Sequence, residues 1–512
     1  MVVNEPLKIV IVGGGTAGWM AAAALSRILG PRICSVQLIE SDEIGTVGVG
    51  EATLPHMKSF NDSIGLDEAE MMRATNGTFK LGIEFVDWGA MGRRYVHPFG
   101  DHGRPLAGLP FHQHWLRAAQ SGAEFDIGDF SYAIVASRLN RFDFPSADPD
   151  KIEHTYSYAY HFDASLYARL LRRLSEASGV RRTEGKIQDV VLDPESGDIA
   201  ALRLQSGETI TGDFFIDCSG FRSLLLGEAL GSQWDDWSKW LPCDRAFAVP
   251  SERATDFTPY TRSTARAAGW QWRIPLQHRT GNGHVFSSAF ISEDEAADTL
   301  MRNLDAKALG EPRMLRFKAG RRLKSWTRNC VALGLASGFL EPLESTSIYL
   351  VQVAIVNLLP LLPRGPRDPV LADEFNRRTD IEYERIRDFL ILHYHANTRE
   401  DSELWRYCRA MEVPESLERR LALYRHSGFI EQYRDGLFTL PSWVSLYAGQ
   451  DVRPTGHHPM ADVLPRDRLI EQLGVLRDQV RTRVEQMPDH ADFVARYASA
   501  DGLQAGAGTV RS

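Results

Sequence analysis

The chain has no apolar run approaching the roughly 20 residues that a membrane-spanning helix needs, so no span is expected. It is also poor in cysteine. Cys34, Cys218, Cys243, Cys330 and Cys408 are scattered, odd in number and form no CxxC pair. That argues against a disulfide framework and against zinc, so no metal is expected and a reducing cytoplasm fits best. A secretory leader is not expected either, because the apolar stretch at residues 8–12 is too short and runs straight into glycines. Charge bias is small, −9 over 512 residues, which argues against nucleic acid or an anionic membrane as the main partner. No internal repeat and no low-complexity linker is found.

What is present is an ordinary globular balance, 43% apolar and 24% charged, in a chain too long for one core. Residues 9–12 form a compact apolar run, 13–18 a glycine turn, 19–29 an alanine-rich helix, and 35–39 a second strand ending at Glu40. This is a βαβ start, and the expected class is α/β. Residues 45–55 read as irregular, 57–90 as mainly helical, and the stretch up to Trp115 as rich in Pro, Gly, His and aromatics. Helical periodicity returns at 165–178, and 185–210 alternates like antiparallel strands. Buried strands are expected at 214–218 and 330–335, and an apolar helix near Ser345. The remainder reads as helical with loops near Pro441 and Pro454, ending in a tail at 502–512. The expected organisation is a cofactor module over residues 1–355, interrupted by inserted segments at about 85–160 and 230–320. A helical substrate region over 356–505 and a disordered tail over 506–512 follow.

Gly13-Gly14-Gly15-Thr16-Ala17-Gly18 satisfies GxGxxG between a strand and a helix. Gly13 permits the tight turn, Gly15 lets a pyrophosphate approach the backbone, and Gly18 lets the helix pack close to the strand. Thr16 and Ala17 open the helix, whose free N–H groups and positive dipole end suit phosphate. Glu40 can accept hydrogen bonds from both ribose hydroxyls. Two later strand-to-glycine junctions, Asp217-Cys218-Ser219-Gly220 and the run through Gly334 and Leu335, favour FAD over NAD(P).

Trp270-Gln271-Trp272-Arg273-Ile274-Pro275 reads WxWxIP. With the glycine motif, it makes the sequence resemble the bacterial flavin-dependent tryptophan halogenases. Supporting matches are Gly48-Val49-Gly50-Glu51-Ala52-Thr53, Phe79-Lys80 leading to Trp88, and the run from Gly338 to Thr346. The likeness covers most of the chain and is strongest before residue 355. It implies a GR2-type, Rossmann-like FAD domain intertwined with a mostly helical substrate region. It implies that FADH2 from a separate NAD(P)H flavin reductase reacts with oxygen to a C4a-hydroperoxide. Chloride or bromide then yields hypohalous acid, which travels through a tunnel to an aromatic substrate.

By the same resemblance Lys80 holds or carries the halogen, and Glu344 stabilises and deprotonates the cationic ring. The family's halide site maps to Thr346 and Ser347, where the tryptophan-specific members usually have glycine at the second position. Gly50, Glu51 and Ala52 belong to a flavin-proximal loop. Trp270 and Trp272, with Ile274, Pro275 and Ser345, map to the wall and tunnel between flavin and substrate. His97-Pro98-Phe99 matches an element that stacks on the substrate ring. His112, His114 and Trp115 form a further polar-aromatic cluster that could line the cavity, while His457-His458 reads as a loop rather than a metal pair.

The match breaks at residues 441–449, where tryptophan-specific relatives carry a tyrosine pair and a glutamate that clamp the amino acid. Here there is one tyrosine, Tyr447, and no acid before Asp451. The expectation is therefore an indole or another electron-rich aromatic with a neutral tail, with free tryptophan a poor substrate. Two alternatives stand beside it: an FAD-dependent aromatic monooxygenase, and an FAD-binding protein without turnover. A homodimer is expected only as the common state of soluble enzymes.

Overall fold

The structure is a computed structural model, and it describes residues 5–43, 50–363, 368–433 and 436–499. Its organising element is a six-stranded sheet containing the expected βαβ start. Leu7–Val12 lies at its centre, flanked by Cys34–Glu40 and Phe214–Asp217, all parallel. Cys330–Ala332 adds in parallel beyond Phe214–Asp217, Arg181–Glu184 joins the other side, and Trp326–Thr327 closes one edge as an antiparallel strand. A strand buried on both faces reads as a continuous apolar run, as Ile9, Val10, Ile11 and Val12 do. The following helix, Thr16–Ala24, buries Ala21, Ala22, Ala23 and Ala24 on all sides. Alanine's small side chain lets it sit close to the sheet.

A second, seven-stranded sheet is built from Arg313–Arg316, Arg245–Ser251, Thr280–Phe286, Gly269–Pro275, Thr261–Arg266, Gly82–Val86 and Arg94–Pro98, in that order. Its pairs are antiparallel except Thr261–Arg266 with Gly82–Val86. A small sheet, Gly50–Ala52, Ala159–Asp163 and Thr78–Lys80, meets the seven-stranded sheet where Gly50–Ala52 lies close to Gly269–Pro275 and Thr280–Phe286. The antiparallel reading of 185–210 holds, as Ile187–Leu192, Ile199–Leu204 and Thr209–Ile210.

Three expectations about elements are corrected. Within 45–55, read as irregular, Gly50–Ala52 is a strand paired with Ala159–Asp163. Residues 57–90 are helical only at His56–Ser63 and Glu68–Ala74; Thr78–Lys80 and Gly82–Val86 are strands. Pairing with Ala159–Asp163 and Thr261–Arg266 decides this, since Thr78, Phe79, Ile83 and Phe85 suit a buried sheet better than a helix. Pro441 is not in a loop: it sits in the first turn of Leu440–Gly449, where its missing N–H costs nothing. The C-terminal part is otherwise helical as expected, its longest member being Pro369–His395. The tail at 502–512, and Gly48 and Val49, lie outside the described residues. Among the described residues no helix is long and apolar enough to cross a membrane.

Candidate active site

Along the carboxyl ends of the parallel strands runs a cavity of about 490 Å³. Gly13, Gly15, Thr16, Ala17 and Glu40 line one end. The glycine turn is forced by geometry: Gly13 has φ +110°, and a Cβ there would meet the Cys218 carbonyl oxygen. A Cβ on Gly18 would strike the Gly13 carbonyl oxygen, so Gly18 serves helix packing and does not line the cavity. Above Gly15 nothing stands within 4 Å, which leaves the open space a pyrophosphate needs. Glu40 is held by Arg182, and its Oε2 accepts from Trp19 Nε1 at 3.4 Å.

Gly334 and Leu335 line the same cavity, but Asp217 does not. Its carboxylate accepts from the backbone N–H groups of Ser219 (3.0 Å), Leu225 (2.9 Å) and Leu226 (2.8 Å). Asp217 thus shapes the loop that carries Ser219, Gly220 and Phe221 to the cavity. Gly50, Glu51 and Ala52 line the middle, where burial pushes the Glu51 carboxyl up to about 7. At the far end stand Trp270, Trp272 and Ile274; Pro275, expected with them, does not line the cavity but is buried, its carbonyl accepting from Thr78 Oγ1. Ser263 Oγ and Trp272 Nε1 are buried there with no protein partner, two polar groups waiting on an occupant. A glycine cradle, an open phosphate position and unmatched polar atoms at the ring end fit a dinucleotide of FAD type.

The chemistry-bearing pair lies next to this cavity, not in it. Lys80 and Glu344 are both fully buried. Lys80 Nζ donates to the Thr53 carbonyl (3.0 Å) and to Ser345 Oγ (3.0 Å), and sits 5.1 Å from the Phe99 ring centroid. Burial drives its ammonium down to about 7, partly offset by the negative charge of Glu344. Ser345 is the hinge of the arrangement: it lines the cavity, touches Lys80 and directly follows Glu344. Its φ is +58°, and Glu341 has φ +73°, so two left-handed residues bracket the segment that presents Glu344. Because Ser345 Oγ is turned to Lys80, it does not cap the helix Thr346–Leu358, whose first N–H groups lack a side-chain acceptor. Ser347 lines the cavity, and its neighbour Thr346 is buried just behind that lining position.

Glu344 is clasped by two imidazoles. His97 Nδ1 lies 2.9 Å from Oε2, and His393 Nε2 lies 2.8 Å from Oε1, though off the line of a good hydrogen bond. Burial alone would raise this carboxyl; His97 and His393 overcome it and hold it down to about 2. His97 therefore touches the carboxylate rather than standing free to stack on a ring, and Phe99 lies under Lys80. The sequence reading missed His393 and its support. Gln450 Nε2 donates to the His393 carbonyl (3.1 Å) and to the Tyr95 oxygen (3.2 Å), and Tyr95 lies 3.2 Å from His393 Nδ1. It also missed Glu341, a buried carboxyl raised to about 8, which accepts from Trp270 Nε1 (3.2 Å) and Tyr394 (2.9 Å) and so fixes the Trp270 ring.

The cluster of His112, His114 and Trp115 is not part of the site. His112 and His114 bond the carbonyls of Gly428 and Leu106, and Trp115 donates to that of Phe125. His457 pairs with Gln120 and Asp462. Among the described residues no cluster could hold a metal ion, and all five cysteines are free.

A cavity shaped for a dinucleotide, with a buried lysine and carboxylate beside it, is the arrangement of a flavoprotein. The tryptophan halogenase family model matches residues 8–466. The tryptophan 6-halogenase SttH of Streptomyces toxytricini is 36% identical, over 96% of this chain and 98% of its own. Xcc4156, a flavin-dependent halogenase from Xanthomonas campestris, superposes with a TM-score of 0.93 at 48% identity, covering 97% and 99% of the two chains. BrvH, a flavin-dependent halogenase from Brevundimonas sp. BAL3, gives 0.93 at 44% identity over 97% and 100%. The chain belongs to the tryptophan halogenase family of flavin-dependent halogenases.

Proposed function

We propose that the protein halogenates an electron-rich aromatic ring, with Lys80 handling the halogen and Glu344 the proton. The single observation that carries this is the burial of both groups, joined through Ser345, beside a cavity that neither of them lines. Gly13, Gly15 and Thr16 would hold reduced FAD delivered by a separate reductase; when bound, it would give two electrons to dioxygen, and the resulting peroxide-level oxygen would oxidise a halide to hypohalous acid.

The remaining steps belong to the chain's own residues. The uncapped N–H groups of Thr346 and Ser347 suit an anion and hold the halide at the cavity wall. Lys80, poised near neutrality, exists as both ammonium and amine at pH 7. The ammonium can hydrogen-bond and polarise hypohalous acid; the amine can form an N–halogen bond and release water. Both uses need a dry setting, which Phe99 and the buried flanks provide. Glu344 stays ionised throughout the working range. Its negative charge stabilises the cationic ring formed on halogen attack, and an Oε atom takes the ring proton. A weakly basic carboxylate suffices, because such a ring cation is a far stronger acid. His97 and His393 keep the carboxylate oriented.

The helix Leu440–Gly449 supports a substrate without a zwitterion. Tyr447 stacks on Tyr424 at 3.8 Å, and Asp451 is paired to Arg93 (2.9 Å) and Arg453 (2.7 Å). Both groups that could have clamped an amino acid are already engaged. Each missing hydrogen bond to a charged group costs a ligand ~1.5–3 kcal/mol. The test is product mass spectrometry on indole with FAD, a flavin reductase, NADH and bromide. A bromine isotope doublet is expected. An oxygenated product formed equally well without halide would make the protein a monooxygenase instead.

A further inference from the structure

A chain of hydrogen bonds runs from the interior to the ring end of the cavity, and its direction can be read atom by atom. The Pro275 carbonyl can only accept, so the Thr78 hydroxyl, 2.8 Å away, spends its single proton there. Thr78 Oγ1 must therefore accept from His161 Nδ1, 3.0 Å away, which puts the imidazole proton on Nδ1. His161 is fully buried near Lys80, and burial first, then that positive charge, keep the ring neutral. Its Nε2 is then a bare lone pair. Thr261 Oγ1, 3.0 Å from Nε2, has to donate to it. Thr261 lines the cavity, and with its proton committed inward it offers the occupant lone pairs only.

We infer that this relay makes Thr261 a fixed hydrogen-bond acceptor toward the flavin, so that the cavity favours the reduced ring, which carries additional N–H, over the oxidised ring. Oxidised isoalloxazine presents mostly acceptors along its polar edge, and an acceptor facing an acceptor gains nothing. The neighbouring polar atoms serve either form: Ser263 Oγ can rotate to suit, and Trp272 Nε1 only donates. The chemistry gives the preference a purpose, since an enzyme fed by diffusing reduced flavin must load it in competition with the oxidised product. The inference rests on reading the cavity as the flavin site.

The experiment is anaerobic titration of intrinsic fluorescence with oxidised FAD and with dithionite-reduced FAD. It compares wild type with Thr261→Val, Thr261→Ser and Thr78→Val. In Thr261→Val the Kd for reduced FAD is expected to rise about 3–10-fold, the worth of one neutral hydrogen bond, with oxidised FAD little changed. By the 29.6 mV per tenfold of a two-electron couple, the bound flavin's midpoint falls ~15–30 mV. Thr261→Ser keeps the wild-type ratio. Thr78 does not line the cavity, yet Thr78→Val frees the His161 tautomer, and the same loss of reduced-form preference is expected at a distance. Equal weakening of both forms, or an unchanged ratio in both valine variants, overturns the relay while leaving flavin binding intact. Failure of wild type to bind either form sinks the flavin reading itself.

Discussion

Lys80 gives up its hydration for two neutral acceptors and a nearby carboxylate, and that exchange sets its titration. Its folded value of about 7 lies below the ordinary 10.5, so between those values the unfolded chain binds more protons than the folded one. Stability contributed at this position must therefore rise with pH above 7, and the whole penalty is present below it. Replacing Lys80 by Met removes the slope: relative to the variant, wild type should gain roughly 2 kcal/mol between pH 7 and 9. Urea unfolding at the two pH values measures this, and a constant difference would mean that Lys80 is not desolvated. Glu344 behaves in the opposite sense. With its carboxyl near 2, product formation shows no Glu344 ionisation step above pH 4. Glu344→Gln keeps the shape but cannot take the ring proton, and kcat should fall ~10²–10⁴-fold with the FADH2 oxidation rate retained. Equal loss of both rates would point to misfolding rather than lost proton transfer.

At the scale of elements, the glycine turn separates two jobs that one motif performs. Gly15→Ala adds a methyl into open space, so Tm should hold while FAD affinity drops at least about tenfold. Gly18→Ala drives a methyl into the Gly13 carbonyl, so Tm itself should fall. Thermal melts with and without FAD distinguish the two; a Gly15→Ala protein that binds FAD normally would place the pyrophosphate elsewhere. This turn was legible in the sequence because local sterics demand glycine at fixed spacing. The strand Thr78–Lys80 was not, since its extended form is imposed by Ala159–Asp163, about 80 residues further along. His393 was hidden for a related reason. Inside the apolar run of Pro369–His395 it looks like one more packed residue, and only the crossing of that helix past residue 344 gives it a partner. Asp217, expected at the cofactor through its strand-to-glycine junction, instead braces the following loop, which only the positions of Leu225 and Leu226 reveal.

On the scale of the whole molecule, the six-stranded and seven-stranded sheets both line the cavity, and Lys80 and Glu344 lie buried beside it. Trp270, pinned by Glu341, stands in the cavity wall, and Ser345 joins that wall to Lys80. From the engagement of Tyr447 and Asp451, kcat/KM for indole should exceed that for free tryptophan by at least about tenfold, and a competition assay with bromide reads this directly. Faster turnover of tryptophan would require a clamp elsewhere in the helical region. On the proposed reading, halogen passes by way of Lys80 to a ring the flavin cannot reach. Single-turnover reaction of pre-reduced FAD with oxygen, bromide and indole, comparing wild type with Lys80→Ala, tests it most directly. Flavin should reoxidise at a similar rate in both, with bromoindole formed only by wild type. Bromoindole from Lys80→Ala at the wild-type yield would mean that halogen reaches the ring without Lys80.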